Sequence, residues 1–216
     1  MSRVVVAPSV SVDEDITAFV AQDQALSQEH PDLAPSDVEW AQVVAEVRNE
    51  YRRYTTTVSA PNHALSLATA AYMLHLCRAI SARRVLDLGS GFSSWVLRHH
   101  AETASNPVDV VSVDTDEDWL AKTSDYLGTV AGLVTWDEFT SQTWAPFDLV
   151  LHDLAGGSLR ETAATLACDL VAPDGVIVFD DVSDSSADTE PCQMIRLVDG
   201  AVVACRPVYL VRVSAV

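Results

Sequence analysis

The chain has 216 residues, 49% hydrophobic and 20% charged, a size and balance that suit one substantial α/β core with a modest extension and exclude a second full domain. Its formal net charge is −18, its visible basic clusters are Arg52-Arg53 and Arg83-Arg84, and Lys122 is its only lysine, which argues against a nucleic-acid backbone as partner. No apolar run is long enough to span a bilayer, and the brief apolar start turns acidic at Asp13-Glu14-Asp15 and does not read as a secretory signal, so a cytoplasmic protein without a membrane partner is expected.

In chain order, residues 13–29 and 37–54 carry apolar positions at helical intervals, with Ser36 as the N-cap of the second stretch. A third helix is expected over 62–80, where Leu65, Leu67, Ala68, Ala71, Leu74 and Leu76 are too apolar for a helix facing water on most sides. From Arg83 onward the text changes to short β-branched runs at 85–88, 108–113, 133–136, 147–151 and 176–179, separated by helical stretches near 93–103, 116–130 and 157–171. That alternation predicts parallel βαβ units in a doubly wound α/β sheet, with ligands along the edge formed by the strand carboxyl ends. Asp199-Gly200 lies between apolar runs at 193–198 and 201–206, and the chain is expected to end in antiparallel strands. The expected division is an N-terminal helical extension over 1–60 and a ligand-binding domain over 61–216. Four cysteines, Cys77, Cys168, Cys192 and Cys205, show no C-x-x-C pair, and reduced thiols are expected, with Cys77 and Cys168 packed on apolar helix faces.

The segment Val85-Leu86-Asp87-Leu88-Gly89-Ser90-Gly91 places an apolar strand, a carboxylate and two glycines ahead of a helix. Glycines there allow a tight turn and close approach of a ligand to the backbone, and the helix start offers free N–H groups, with Ser93 or Ser94 as a cap. Asp114 ends the second run about 20 residues beyond the glycines, where a carboxylate can take both hydroxyls of a ribose. Asp116 to Asp118 read as the acidic start of the following helix, which leaves Asp114 free for a ligand. A dinucleotide fingerprint would want a third glycine at Ser94, and a pyrophosphate would be repelled by Asp87. A sulfonium and an ammonium would be attracted.

These segments resemble the class I S-adenosylmethionine-dependent methyltransferases over roughly residues 58–216. Val85 to Gly91 resembles the family's first motif, Val110 to Asp114 its second strand with the ribose acid, Phe147 to Asp153 its fourth strand and Leu170 to Asp181 its fifth. Ser93 stands where a third glycine is common. The resemblance implies a seven-stranded Rossmann-like sheet that is mainly parallel, with an antiparallel C-terminal strand. It implies Gly89, Ser90 and Gly91 at the methionine end of the cofactor, with Asp87, Ser93, Ser94, Thr115 and Asp153 around it. Asp114 would lie on the ribose, Asp137 near the adenine amino group, and Trp136 against adenine or in the core.

Val58-Ser59-Ala60-Pro61 before an apolar helix, and Pro173-Asp174-Gly175 before the fifth strand, resemble the small-molecule O-methyltransferases. Some of these use a divalent cation such as Mg²⁺, and the matching ligands would be Asp153, Asp180 and Asp181. The family's third ligand is usually asparagine, and the lysine that often follows the first ligand is absent from Leu154-Ala155-Gly156-Gly157. His152 and His63 are therefore the candidate bases beside Asp153. The expected activity is methyl transfer to an oxygen of a small molecule. A nucleic-acid or protein methyltransferase, a non-catalytic binding protein and a homodimer remain open.

Overall fold

The computed structural model describes residues 31–154, 158–180, 194–196 and 209–212. The helix expected over 13–29, Asp199-Gly200, Cys192 and Cys205 lie outside the described residues.

Helix α1 spans Asp37–Thr57 and starts where sequence logic puts it: Ser36 and Glu39 form a reciprocal capping box, with Ser36 N donating to Glu39 Oε2 at 2.9 Å. The expected single helix over 62–80 is instead a 3₁₀ turn, Pro61–His63, followed by α2, Leu67–Ala79. Ser66 Oγ accepts from Thr69 N at 3.0 Å, and this cap fixes the later start. Then follow β1 (Arg84–Leu88), α3 (Phe92–Thr103), β2 (Asp109–Asp114), α4 (Glu117–Leu127), β3 (Leu133–Thr135), α5 (Trp136–Thr140), β4 (Phe147–His152), α6 (Ser158–Leu170) and β5 (Val171–Phe179).

Five strands form a parallel sheet in the order β3-β2-β1-β4-β5. Strand β5 begins five residues before the expected 176, because a register shift against β4 between Phe147 and Leu149 absorbs Pro173-Asp174-Gly175 without ending the pairing. The short segments β6 (Met194–Arg196) and β7 (Tyr209–Arg212) follow, with antiparallel register of β7 on β5 and of β6 on β7.

Strand alternation sorts the core into two halves. Val85, Leu149, Leu151, Val176 and Val178 face α1, α2 and α3. Leu86, Leu88, Val150, Ile177 and Phe179 face Phe139 of α5 and Ala163 and Ala167 of α6. Trp40, Val43, Val44, Val47, Tyr51 and Tyr54 of α1 belong to the same apolar cluster as Phe92 of α3 and the sheet, so this helix is built into the core. The order of strands reverses direction at β1, between β2 and β4, the place at the carboxyl edge where open α/β sheets take their ligands.

Candidate functional site

The loop from β1 to α3 sits at that reversal. Gly89 has φ +114° and Gly91 φ +149°, values that L side chains rarely adopt. A Cβ on Gly89 would stand 2.7 Å from the carbonyl oxygen of Asp153, so the glycine lets the loops after β1 and β4 close on each other. Asp153 N donates to Leu88 O at 2.7 Å and joins the start of the β4 loop to β1, while Gly89 N donates to Val113 O at 2.9 Å and ties the β1 loop to β2.

Asp87 shares a strand face with Val85 and points into the layer of α1, α2 and α3, where it is buried. Ser94 Oγ donates to Asp87 Oδ2 at 2.6 Å, and Gly91 N donates to Ser94 Oγ at 3.1 Å. Asp87 and Ser94 therefore brace the loop from beneath. Burial pushes the Asp87 carboxyl up to about 6, against the hydroxyls of Ser94, Ser112 and Ser93 and the Arg98 guanidinium, which pull it down. Oδ1 of Asp87 is buried without a hydrogen-bond partner. Ser93, also buried, donates to Gly89 O at 3.2 Å.

Asp114 ends β2 beside the loop, but it is not free. Oδ2 accepts from Ser90 N at 2.9 Å and Ser90 Oγ at 2.8 Å, and Oδ1 accepts from Thr115 N at 2.8 Å and Asp116 N at 3.1 Å. Two donors on each oxygen use the four acceptor directions of a carboxylate. Any further donor to Asp114 would have to displace one of these, and the Ser90 hydroxyl is the one that can rotate away. Asp116 caps α4 as expected, accepting from Trp119 N at 3.0 Å.

Two aromatic residues that sequence reasoning left out complete the loop's surroundings. Trp119 Nε1 donates to Ser90 O at 2.8 Å. The Tyr54 hydroxyl lies 3.1 Å from where a Cβ on Gly91 would stand. Tyr54 is buried, and its ring packs on Phe92 at 5.4 Å and on Tyr126 at 4.9 Å. Burial, with smaller contributions from the charges of Asp87 and Asp114, pushes its hydroxyl up to about 12. Helical periodicity shows that Tyr54 and Trp119 lie on helices, but not which loop they reach.

At the other expected positions the structure gives mixed results. Trp136 is the first residue of α5 and not the last of β3, because Thr135 and Glu138 form a capping box that turns the chain into a helix. Its ring packs 6.3 Å from Phe139 at the edge of the core, while Asp137 is exposed in the first turn. His152 faces α6, is buried, and keeps Nε2 at 3.0 Å from Arg160 O, with its ring 5.4 Å from Phe179. Burial, reinforced by the Arg160 charge, pushes its imidazole down to about 4. His152 is thus enclosed in the core and cannot reach a substrate proton, which corrects its reading as a candidate base. His63 ends the 3₁₀ turn and is exposed.

Asp153 and Asp180 follow the tips of adjacent strands, β4 and β5, with Asp180 N donating to His152 O at 3.0 Å and Arg160 Nη2 donating to Asp180 O. Asp180 is buried, Asp153 is half-buried, and Asp181 lies outside the described residues. Among the described residues no three His, Cys, Asp or Glu side chains come together as a metal set. No described helix is long and apolar enough to cross a membrane.

No protein-family model matches the sequence, and no curated protein matches it. Solved structures do. An O-methyltransferase from Bacillus cereus in complex with S-adenosylhomocysteine aligns with a TM-score of 0.55 and 17% identity over 93% of this chain and all of that one. An O-methyltransferase of tomaymycin synthesis from Streptomyces achromogenes, in complex with S-adenosylmethionine, aligns at 0.56 and 16% over 95% of this chain and all of that one. An S-adenosylhomocysteine-bound methyltransferase from Podospora anserina aligns at 0.58 and 12% over 97% of this chain and all of that one. At such identities the likeness is one of fold.

Proposed function

From the premise that this chain has the fold of S-adenosylmethionine-dependent methyltransferases, we propose that it is one, transferring a methyl group to an oxygen of a small molecule. One observation carries the reading. The two positive-φ glycines, 89 and 91, lie at the reversal point of the sheet between a buried carboxylate, Asp87, and the carboxylate at the neighbouring strand tip, Asp114. Such a loop lets a ligand approach the backbone closely, while two carboxylates disfavour a pyrophosphate and favour a ligand carrying an ammonium and a sulfonium. The orphaned Oδ1 of Asp87 adds to that negative field.

In this reading Asp114 holds the ribose once the Ser90 hydroxyl has turned aside, and Gly89 to Gly91 lie along the methionine end. Asp137, exposed at the start of α5, would meet the adenine amino group, and Thr115 N keeps Asp114 oriented. When bound, S-adenosylmethionine supplies a methyl group on a sulfonium, ready for in-line attack. The protein's part is alignment. The completion of the sheet to seven strands by β6 and β7 belongs to the same reading. The choice of oxygen in a small molecule rests on the O-methyltransferases among the structural neighbours and on a net charge of −18, which opposes a polyanionic acceptor.

Thermal shift and titration calorimetry test the reading. S-adenosylmethionine and S-adenosylhomocysteine should raise the melting temperature and NAD should not. The same titrations run with Mg²⁺ and with EDTA test the expected cation set, whose third member, Asp181, lies outside the described residues. Binding of NAD in place of the methyl donor would overturn the assignment.

A further inference from the structure

Resting on the methyltransferase reading, we propose that the hydroxyl of Tyr54, from a helix that sequence reasoning assigned to an extension, is a contact for the amino-acid end of S-adenosylmethionine. Two polar side-chain atoms face Gly91: a Cβ there would lie 3.1 Å from Tyr54 Oη and 3.6 Å from Trp119 Nε1. The indole is already committed to Ser90 O at 2.8 Å. Tyr54 Oη has no hydrogen bond among the described residues.

The ring that carries this hydroxyl is fixed. Phe92 and Tyr126 pack on it, Tyr51 meets the same Phe92 edge-on at 5.3 Å, and Tyr126 is itself held by donating to Glu50 Oε1 at 2.6 Å. A hydroxyl on an immobilised ring costs little further entropy when a ligand takes it up. Its position selects the part of the ligand. With the ribose on Asp114 at the tip of β2, the adenine would lie toward β3 and the other end of the molecule would cross the β1 loop, where the absence of a side chain on Gly91 lets the Tyr54 hydroxyl stand close to the loop backbone. That end carries an ammonium and a carboxylate, and a neutral phenol can accept from the first and donate to the second.

The experiment compares wild type with Tyr54→Phe by calorimetry, using S-adenosylmethionine, S-adenosylhomocysteine and 5′-methylthioadenosine, which keeps the adenosine and sulfur but lacks the amino-acid end. The substitution should weaken the first two about tenfold and leave the third within about twofold, since one hydrogen bond to a charged group is lost. The apo melting temperature should stay within about 2 °C, because the hydroxyl has no hydrogen bond to lose among the described residues. Equal weakening of all three ligands, no weakening of any, or a large fall in apo stability would each overturn the proposal. Failure of the wild type to bind any of the three would overturn the cofactor reading itself, and this contact with it.

Discussion

Asp87 combines two demands that pull against each other, burial and charge. Its carboxyl is raised to about 6, so the folded chain binds a proton there more readily than the unfolded chain does. The stability linked to it is complete below the ordinary carboxylate value and falls as pH rises toward about 6. Glu46 has the opposite sign: the Arg78 guanidinium, helped by His99, holds it down to about 2, so its contribution is present above the ordinary range and lost as pH falls through that value. Asp87→Asn should therefore make the apo protein more stable at pH 8, by roughly 2 kcal/mol, in denaturant titrations. The same variant should bind S-adenosylmethionine about tenfold more weakly and lack the rise in affinity expected of the wild type between pH 5 and 7. A wild-type affinity that is flat over that range would count against a role for the Asp87 charge. Ser90 gives a contrasting prediction. Ser90→Ala frees one acceptor direction of Asp114, and calorimetry should find cofactor affinity unchanged or increased, where removal of a direct ligand contact would lower it.

At the scale of elements, the site depends on how the β1 and β4 loops meet. Gly89→Ala forces a Cβ to 2.7 Å from Asp153 O in a backbone conformation that alanine resists, and should cost at least about 2 kcal/mol in urea unfolding along with cofactor binding. Strand alternation decides the fate of His152, one residue after Leu151 and on the face covered by α6. His152→Asn should lower the melting temperature while leaving the shape of any pH–rate profile unchanged, which a general base would not allow. The capping boxes at Ser36 and Thr135 were legible to different degrees. Ser36 follows Pro35 and precedes an amphipathic run, whereas Thr135 ends an apolar strand, and the β-branched text hides the turn into α5 at Trp136.

For the molecule as a whole, a charge of −18 makes self-repulsion a standing cost, and the melting temperature should climb as sodium chloride screens it from low ionic strength to about 0.5 M. A fall over that range would mean that ion pairs such as Arg78–Glu46 outweigh the repulsion. The sequence by itself determined the βαβ order, the glycine loop and the acid at the end of β2, because hydrophobic period, turn chemistry and local spacing are properties of neighbouring residues. Only the tertiary structure decided which side each strand residue faces and what stands across from it. Packing put Asp87 beneath the loop and His152 inside the core, filled the acceptor directions of Asp114 with Ser90, and brought Tyr54, 37 residues before Gly91, against the glycine. These are contacts between distant segments, fixed by the geometry of the sheet and its helices, and spacing along the chain does not record them.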